Sequence, residues 1–440
     1  MPERVNRIAL AFVSSDMAVN LDALRPGFTE DPYGTLAALR EQSPVHQVEI
    51  FGMPMWLVTR YRDVKAALGD PLLSSHGSSA GEAARAFPFV QAGWFSDVSQ
   101  HMLMSDPPDH GRLRRAVSRE FTPRRIAALR PRIQQVTDSL LDAMVPKGQA
   151  DLIEDFAAPL PITVVMELLG VPDVDQENFR YWADVVTGVR EGDHELAPQI
   201  HTEASGYLAD LVAHKRGTGD EDLLGSLARA TGEDALTDQE LVSLAFLLLV
   251  AGYTTTIDLI GNGTLALLRD PEQLELLRNA PSLLPGAIEE FLRFDGPTSH
   301  ATLRFAKPGL TIGGVEIPAG DIVLLSLASA DHDPERFPRA DQLNIERADR
   351  QHLAFGHGVH FCIGAPLARL EAEIAFRSLL ERCPGLALDP AQQLEWRVSV
   401  NIRGLRRLPV KFRQHVAPVI PIDEAKTVKV PKPKIGGGRA

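Results

Sequence analysis

The sequence is short of cysteine, with two in 440 residues, and of basic side chains, with 45 lysines and arginines against 58 aspartates and glutamates. Two thiols, Cys362 and Cys383, cannot staple a chain of this length, which excludes a disulfide scaffold. The formal net charge of −13 excludes a protein whose business is to coat nucleic acid or an anionic membrane, because such binding needs a basic face. Glycine and proline, 34 and 32 in number, stand near average, so collagen-like and low-complexity chains are excluded too. Long apolar runs are missing. The most apolar stretch, residues 241–252, has the length of a buried helix and stops short of the roughly 18 residues that span a bilayer. The apolar run near the N-terminus is too short for a signal sequence. These absences predict a cytoplasmic protein with no membrane span, no nucleic-acid partner and no disulfide. What the chain does have is apolar bulk, 44% of its residues, enough for a sizeable core.

No segment repeats along the chain, and no interior linker separates two halves. Residues 20–413 therefore read as a single domain, flanked by an N-terminal extension, 1–19, and a tail, 414–440. In that tail Lys426, Lys429, Lys432, Lys434, prolines and three glycines replace apolar periodicity, so it reads as flexible. Helical spacing is predicted over residues 32–41, 62–68, 108–120, 123–144, 161–169, 196–215, 238–269, 271–279, 283–294 and 366–383. Strand patterns are confined to 45–49 and 55–59, a hairpin about Gly52, and to 310–312, 315–317 and 322–326, a second small sheet. The fold class is mainly α with minor β.

The longest predicted helix opens at Thr237-Asp238-Gln239-Glu240, a capping-box pattern, and closes at Asp270-Pro271. Its ~32 residues at ~1.5 Å each give a rod of roughly 48 Å, long enough to cross the whole molecule. Its middle is chemically unusual. Ala251-Gly252-Tyr253-Thr254-Thr255-Thr256 puts a glycine and three β-branched hydroxyl residues where helix propensity is poor, and threonine hydroxyls there bond back to carbonyls one turn earlier. A bend or local widening is expected.

Toward the C-terminus, Phe355-Gly356-His357-Gly358-Val359-His360-Phe361-Cys362-Ile363-Gly364 sets a cysteine in a glycine-punctuated loop that feeds a helix. Glycines let the backbone approach a bulky planar group, and N–H groups at a helix start stabilise a thiolate. An isolated cysteine is ordinarily a small buried hydrophobe, which is the reading for Cys383. The spacing F-G-x-G-x-H-x-C-x-G sets Cys362 apart as a thiolate suited to heme iron. Two further pairs stand at helical spacing. His110 and Arg114, at i and i+4, share a face and can donate to one anion. Glu290 and Arg293, at i and i+3, can form an ion pair.

These four segments together resemble the cytochrome P-450 family of heme-thiolate monooxygenases, in its soluble bacterial form. The resemblance implies the cytochrome P-450 fold, with heme b (iron protoporphyrin IX) between the long central helix and the cysteine loop. Cys362 is then the iron ligand, and Phe355, Gly356 and Gly364 belong to the same heme-binding signature. His110, Arg114, Arg304 and His360 become donors to the heme propionates. Glu290 and Arg293 become a buried structural network with Arg347 as its third member, the string Pro334-Glu335-Arg336-Phe337 being misplaced for that role. Thr255 matches the hydroxyl residue of oxygen activation, with Ala251 and Gly252 leaving room beside it. The family commonly carries an acid just before that threonine. Here Thr254 stands in its place, so the acid–alcohol proton relay is incomplete. Asp258, four residues on and hence on the same helical side, is the candidate substitute.

The resemblance further implies a pocket for a bulky hydrophobic small molecule, lined by residues 74–103 with Phe87, Phe89, Trp94 and Phe95, by Leu247 and Leu248, and by residues 298–302 with Thr298 and Ala301. Enzymes of this actinobacterial style tailor macrolides, other polyketides, steroids or terpenoids, by hydroxylation or epoxidation. The chain has no room for a fused flavin reductase, so NAD(P)H electrons are expected through a ferredoxin reductase and a ferredoxin. Between Arg112 and Arg132 lie eight arginines and one acidic residue, Glu120, a basic patch expected to dock an acidic ferredoxin. Two other readings stand beside this one: a peroxide-driven or non-oxygenating heme-thiolate enzyme, catalysing coupling or dehydration, and a non-enzymatic heme binder.

Overall fold

The computed structural model describes residues 19–21, 27–50, 52–87, 90, 98–186, 196–220, 222–399 and 401–413. The expected tail, the expected extension up to residue 18, and Phe89, Trp94 and Phe95 lie outside the described residues. Four helices build the site: α1 (Asp109–Ser118), α2 (Asp238–Arg269), α3 (Leu284–Asp295) and α4 (Ala365–Arg382). The bounds of α2 are those its start and stop signals prescribe. The Thr237 hydroxyl accepts from the Glu240 N–H at 3.2 Å, and the Glu240 carboxylate accepts from the Thr237 N–H at 2.9 Å, so two otherwise orphaned groups satisfy each other.

By length and composition α2 resembles a membrane-spanning helix, yet 72% of its most apolar stretch is buried inside the protein. Leu241, Ala245, Leu249, Tyr253, Ile257 and Ile260 follow one another at three- and four-residue steps into the largest core cluster, each large apolar side chain contributing about 1.5–3 kcal/mol of burial. The helix runs without interruption through residues 251–256, where a bend or local widening is expected. The back-bonding behind that expectation is present, with the Thr254 and Thr255 hydroxyls donating to the Val250 and Ala251 carbonyls at 3.3 and 2.7 Å. Gly263 lets α3 and α4 close on α2, since a Cβ there would stand 2.7 Å from Phe376 and 3.0 Å from Phe291.

The predicted helix over 123–144 is two helices, Pro123–Ala128 and Arg130–Met144, with Pro131 starting the second. Helices Gln176–Val186 and Leu223–Ala228 were not foreseen, and the latter is too short to show a period. The main sheet takes β1 (Val19–Asn20), β2 (Val45–Ile50), β3 (Met53–Val58), β4 (Leu73–Ser74) and β5 (Arg304–Ala306), and the small hairpin is β6 (Leu310–Ile312) and β7 (Val315–Ile317). The remaining expected member of that second sheet, β8 (Ile322–Leu325), instead joins the main sheet parallel to β3, with Trp56 opposite Val323. All four of its residues are buried, which suits an interior strand covered on both faces. The hairpin of β9 (Glu395–Trp396) and β10 (Leu405–Arg407) closes the fold against α2.

Candidate active site

Cys362 is placed by its loop and by the start of α4. Gly356 and Gly358 adopt φ of +71° and +73°, where a Cβ is strained, and a Cβ on Gly358 would sit 3.1 Å from the Leu68 carbonyl oxygen. The Cys362 N–H donates to the Phe355 carbonyl at 2.9 Å, closing the loop. The sulfur therefore lies beside the first N–H groups of α4. Burial pushes the Cys362 thiol up, while the Gly364 and Ala365 N–H groups, Arg114 and Arg369 favour the thiolate. Its exposed surface lines one cavity.

That cavity offers about 280 Å³ to the centres of water-sized molecules and separates the cysteine loop from α2. Leu247, Leu248, Ala251, Gly252 and Thr255 form its α2 wall, and Thr298, Ala301 and Thr302 close one side. Phe355, Gly356 and Gly364 line it with Cys362. At one end the basic groups His110, Arg114, Arg304 and His360 converge. The two histidine rings lie 4.4 Å apart, and His110 Nε2 is buried without a partner among the described residues. Arg304 donates to the Thr302 hydroxyl at 2.7 Å and carbonyl at 3.1 Å, and Arg114 to the Phe361 carbonyl at 2.7 Å. All these acceptors are uncharged. Burial accordingly pushes Arg304 down to about 10 and Arg114 down, and holds His360 near 3 with Arg304 adding to the effect. Asp106 stands nearby but is engaged by Ser74, by the Ser75 N–H and by Lys307.

The family model for cytochrome P-450 matches residues 193–395. The cytochrome P-450 monooxygenase PikC of Streptomyces venezuelae is 48% identical over 407 residues, 91% of this chain and 96% of that one. The 6-deoxyerythronolide B hydroxylase of Saccharopolyspora erythraea is 42% identical over 398 residues, 88% of this chain and 97% of that one. The solved structure of the tirandamycin C-bound monooxygenase TamI superposes with a TM-score of 0.82 at 43% identity, covering 90% of this chain and all of that one. This chain is a cytochrome P-450. The family implies heme, and the cavity fits it. A thiol stands at a helix start on one face, α2 faces it across the gap, and a cluster of basic groups with no ion pair among the described residues, Asp106 being shared with Lys307, lies where the propionates would be neutralised.

Outside the cavity lining of this cytochrome P-450, Glu290, Arg293 and Arg347 meet. Arg293 Nε and Nη2 donate to the two Glu290 carboxylate oxygens, each at 2.8 Å, and Arg347 Nε reaches the same carboxylate at 3.0 Å. Arg336, of the string set aside above, pairs with Asp349 instead. Arg293 Nη1 also donates to the Asp331 carbonyl at 2.8 Å, while the Asp331 carboxylate receives the Leu353 N–H at 2.7 Å. The network thereby fixes the strand of chain that enters the cysteine loop.

Three expected site residues stand elsewhere. Thr254 is buried on the side of α2 away from the cavity, bonded back to Val250. Asp258, on that same side, is fully buried and its carboxylate is taken by Arg397, with burial pushing it up to about 7; it does not reach the cavity wall. Phe87 packs in the cluster of the main sheet. The basic patch is largely neutralised by residues distant in sequence. Arg112 pairs with Glu240, Arg115 and Arg119 with Asp234, Arg130 with Glu373 and Arg132 with Glu167, while Arg125 takes Glu120.

Glu371 was missed. It lines the cavity beside Leu367 and Ala368, and its Oε2 has no partner among the described residues. The signal was legible as one acid within the apolar stripe Leu367, Leu370 and Ile374 of α4. Burial pushes its carboxyl up to about 8, so the folded protein holds a proton that the unfolded chain releases near its ordinary carboxylate value. Its contribution to stability is therefore full below that value and falls as pH rises through about 8. Glu371→Gln is expected to raise the thermal midpoint of the holoprotein more at about pH 9 than at about pH 6, at up to ~1.4 kcal/mol per pH unit. Midpoints measured across that range would run parallel for the two proteins if the buried carboxyl did not titrate there.

Proposed function

We propose that this enzyme inserts one oxygen atom from dioxygen into a bulky hydrophobic small molecule of the macrolide or wider polyketide class, by hydroxylation or epoxidation. The observation that carries this reading is the apolar wall of Leu247, Leu248, Ala251 and Ala301 placed across the cavity from Cys362, with the Thr255 hydroxyl among them. Similarity to a 6-deoxyerythronolide B hydroxylase, to a polyketide-biosynthesis cytochrome P-450 and to a tirandamycin C-bound enzyme supports the polyketide class, while a vitamin D(3) 25-hydroxylase of comparable identity keeps steroids in the test below. The overall change is substrate C–H plus dioxygen, two electrons and two protons giving the alcohol and water; an epoxidation instead adds the oxygen across a C=C bond, with the same electron, proton and water balance.

Bound heme supplies a redox-active iron where dioxygen is reduced, and a thiolate ligand favours cleavage of the O–O bond. The chain's own residues do the rest. Cys362 holds the iron, and His110, Arg114, Arg304 and His360 hold the propionates. Leu247, Leu248 and Ala301 exclude water around the substrate, and Thr255, its proton held by the Ala251 carbonyl, presents Oγ1 as an acceptor on the α2 side. Electrons from NAD(P)H arrive through a ferredoxin reductase and a ferredoxin in the cytoplasm. The donor docks on the cysteine-loop side, where Val359 is 51% exposed three residues from Cys362.

One observation favours a second reading. The α2 wall carries Thr255 but no carboxyl, with Thr254 and Asp258 turned away, which suits peroxide-driven or coupling chemistry needing no proton relay there. The test is a ferric absorption titration against macrolides, linear polyketides, steroids and terpenoids, followed by turnover with ferredoxin and reductase or with peroxide. A saturable high-spin shift with a polyketide, and product only with the reductase chain, is expected. A shift confined to another class, or product with peroxide alone, would overturn the corresponding part.

A further inference from the structure

The β9–β10 hairpin is fastened to two helices by buried ion pairs that do not touch the cavity. Asp258 of α2 pairs with Arg397, their side chains 0% and 4% exposed. One turn along α2, the Asn262 amide donates to the Arg403 carbonyl at 2.9 Å and to the Asp295 carbonyl at 3.0 Å. Arg403 Nε reaches the Asp295 carboxylate of α3 at 2.6 Å, and its guanidinium lies 3.9 Å from the centre of the Trp396 ring. The other edge of the hairpin is bonded to the cavity wall. The Arg403 N–H donates to the Pro297 carbonyl and the Ser299 N–H to the Asn401 carbonyl, each at 2.8 Å, and Thr298 bridges to Ile402. Pro297, Thr298, Ala301 and Thr302 line the cavity. A continuous line of bonds therefore runs from the side of α2 that faces away from the cavity, through the hairpin, to the wall that closes over a substrate.

We propose that Asp258 and Arg397 are positioning residues for substrate selection, setting the place of the 297–302 wall through the hairpin they anchor. The inference rests on the monooxygenase reading above. A buried ion pair is a poor source of stability, because desolvation offsets most of its attraction. It is a good source of geometry, because the buried bond from Arg397 Nη2 to one Asp258 carboxylate oxygen must stay in place if neither charge is to be left bare. Asp258 Oδ2 and Arg397 Nη1 are buried with no partner among the described residues, so the bond between Nη2 and Oδ1 is what joins the two side chains. Gly404 completes the arrangement. Any side chain there would collide with the Asp258 carboxylate and the Arg397 guanidinium, while the bare backbone accepts the Arg397 N–H at 2.9 Å.

The test uses the heme-loaded full chain and two ligands of the iron, a bulky aryl imidazole that must fit beneath the wall and carbon monoxide that is too small to sense it. Asp258→Asn and Arg397→Lys are each expected to weaken the imidazole about tenfold, a change of ~1.4 kcal/mol, with heme content and carbon monoxide affinity unchanged. If the single variants fail to fold, the neutral pair Asp258→Asn with Arg397→Gln removes both buried charges together and is read the same way. A lower thermal midpoint with unchanged imidazole affinity would reduce the pair to a structural role and overturn the proposal. No imidazole shift in the heme-loaded parent would mean that the iron lacks the accessible position the monooxygenase reading requires, and the inference would fall with that reading.

Discussion

Arg293→Ala is expected to yield almost no folded heme protein. Both members of its pair with Glu290 are buried, with side-chain exposures of 1% and 2%. Truncation leaves an uncompensated carboxylate in the interior, at a cost of about 3–5 kcal/mol. The same change strips donors from the Asp331 and Ala340 carbonyls, each bonded at 2.8 Å, adding about 1–3 kcal/mol for each acceptor left unsatisfied. Against a total stability of roughly 5–15 kcal/mol, that loss is ruinous. Arg347 stays beside Glu290 and offsets part of it. Arg293→Lys keeps the charge but loses the fork, so it should recover some folded protein without reaching the parent's thermal midpoint. Yield, heme content and midpoint of the three proteins check this, and a parent-like midpoint for Arg293→Ala would contradict the role given to the network.

Much of this architecture was legible because its signals are local. The capping box at Thr237, the stop at Asp270-Pro271 and the periodic apolar residues between them define α2 without reference to the rest of the chain. The cysteine loop is likewise self-contained, since its glycines, its thiol and the helix start stand within ten residues. What misled was supplied from far along the chain. Helical spacing put Asp258 on the Thr254 side of α2, correctly, but gave no hint that Arg397, 139 residues away, would occupy its carboxylate. Eight nearby arginines read as a basic patch because Asp234, Glu240, Glu373 and Glu167 are invisible to a local window. The same limit misplaced Ile322–Leu325, whose parallel neighbour Met53–Val58 lies some 270 residues earlier.

The second large effect concerns the thiol. Cys362→Ser keeps the loop, since its N–H bond to the Phe355 carbonyl at 2.9 Å is a backbone bond, and the heme pocket with its basic groups is untouched. The hydroxyl is a far weaker donor of electron density to iron, so the push that favours O–O cleavage is removed. The variant should take up heme, lose the thiolate-type absorption of the reduced carbon monoxide complex, and turn over at least ~1000-fold more slowly, a barrier increase of about 4 kcal/mol. Cys383→Ser should leave both properties intact, because that thiol is fully buried in the core beside α4 and is pushed up to about 12. The most direct measurement supplies isotopically heavy dioxygen to parent and Cys362→Ser with ferredoxin, reductase and the polyketide giving the largest spin shift. One heavy oxygen atom in the parent's product, and almost none from the variant, is the expected result. Product carrying no heavy oxygen, or an equal amount of labelled product from both proteins, would contradict a monooxygenase built on Cys362.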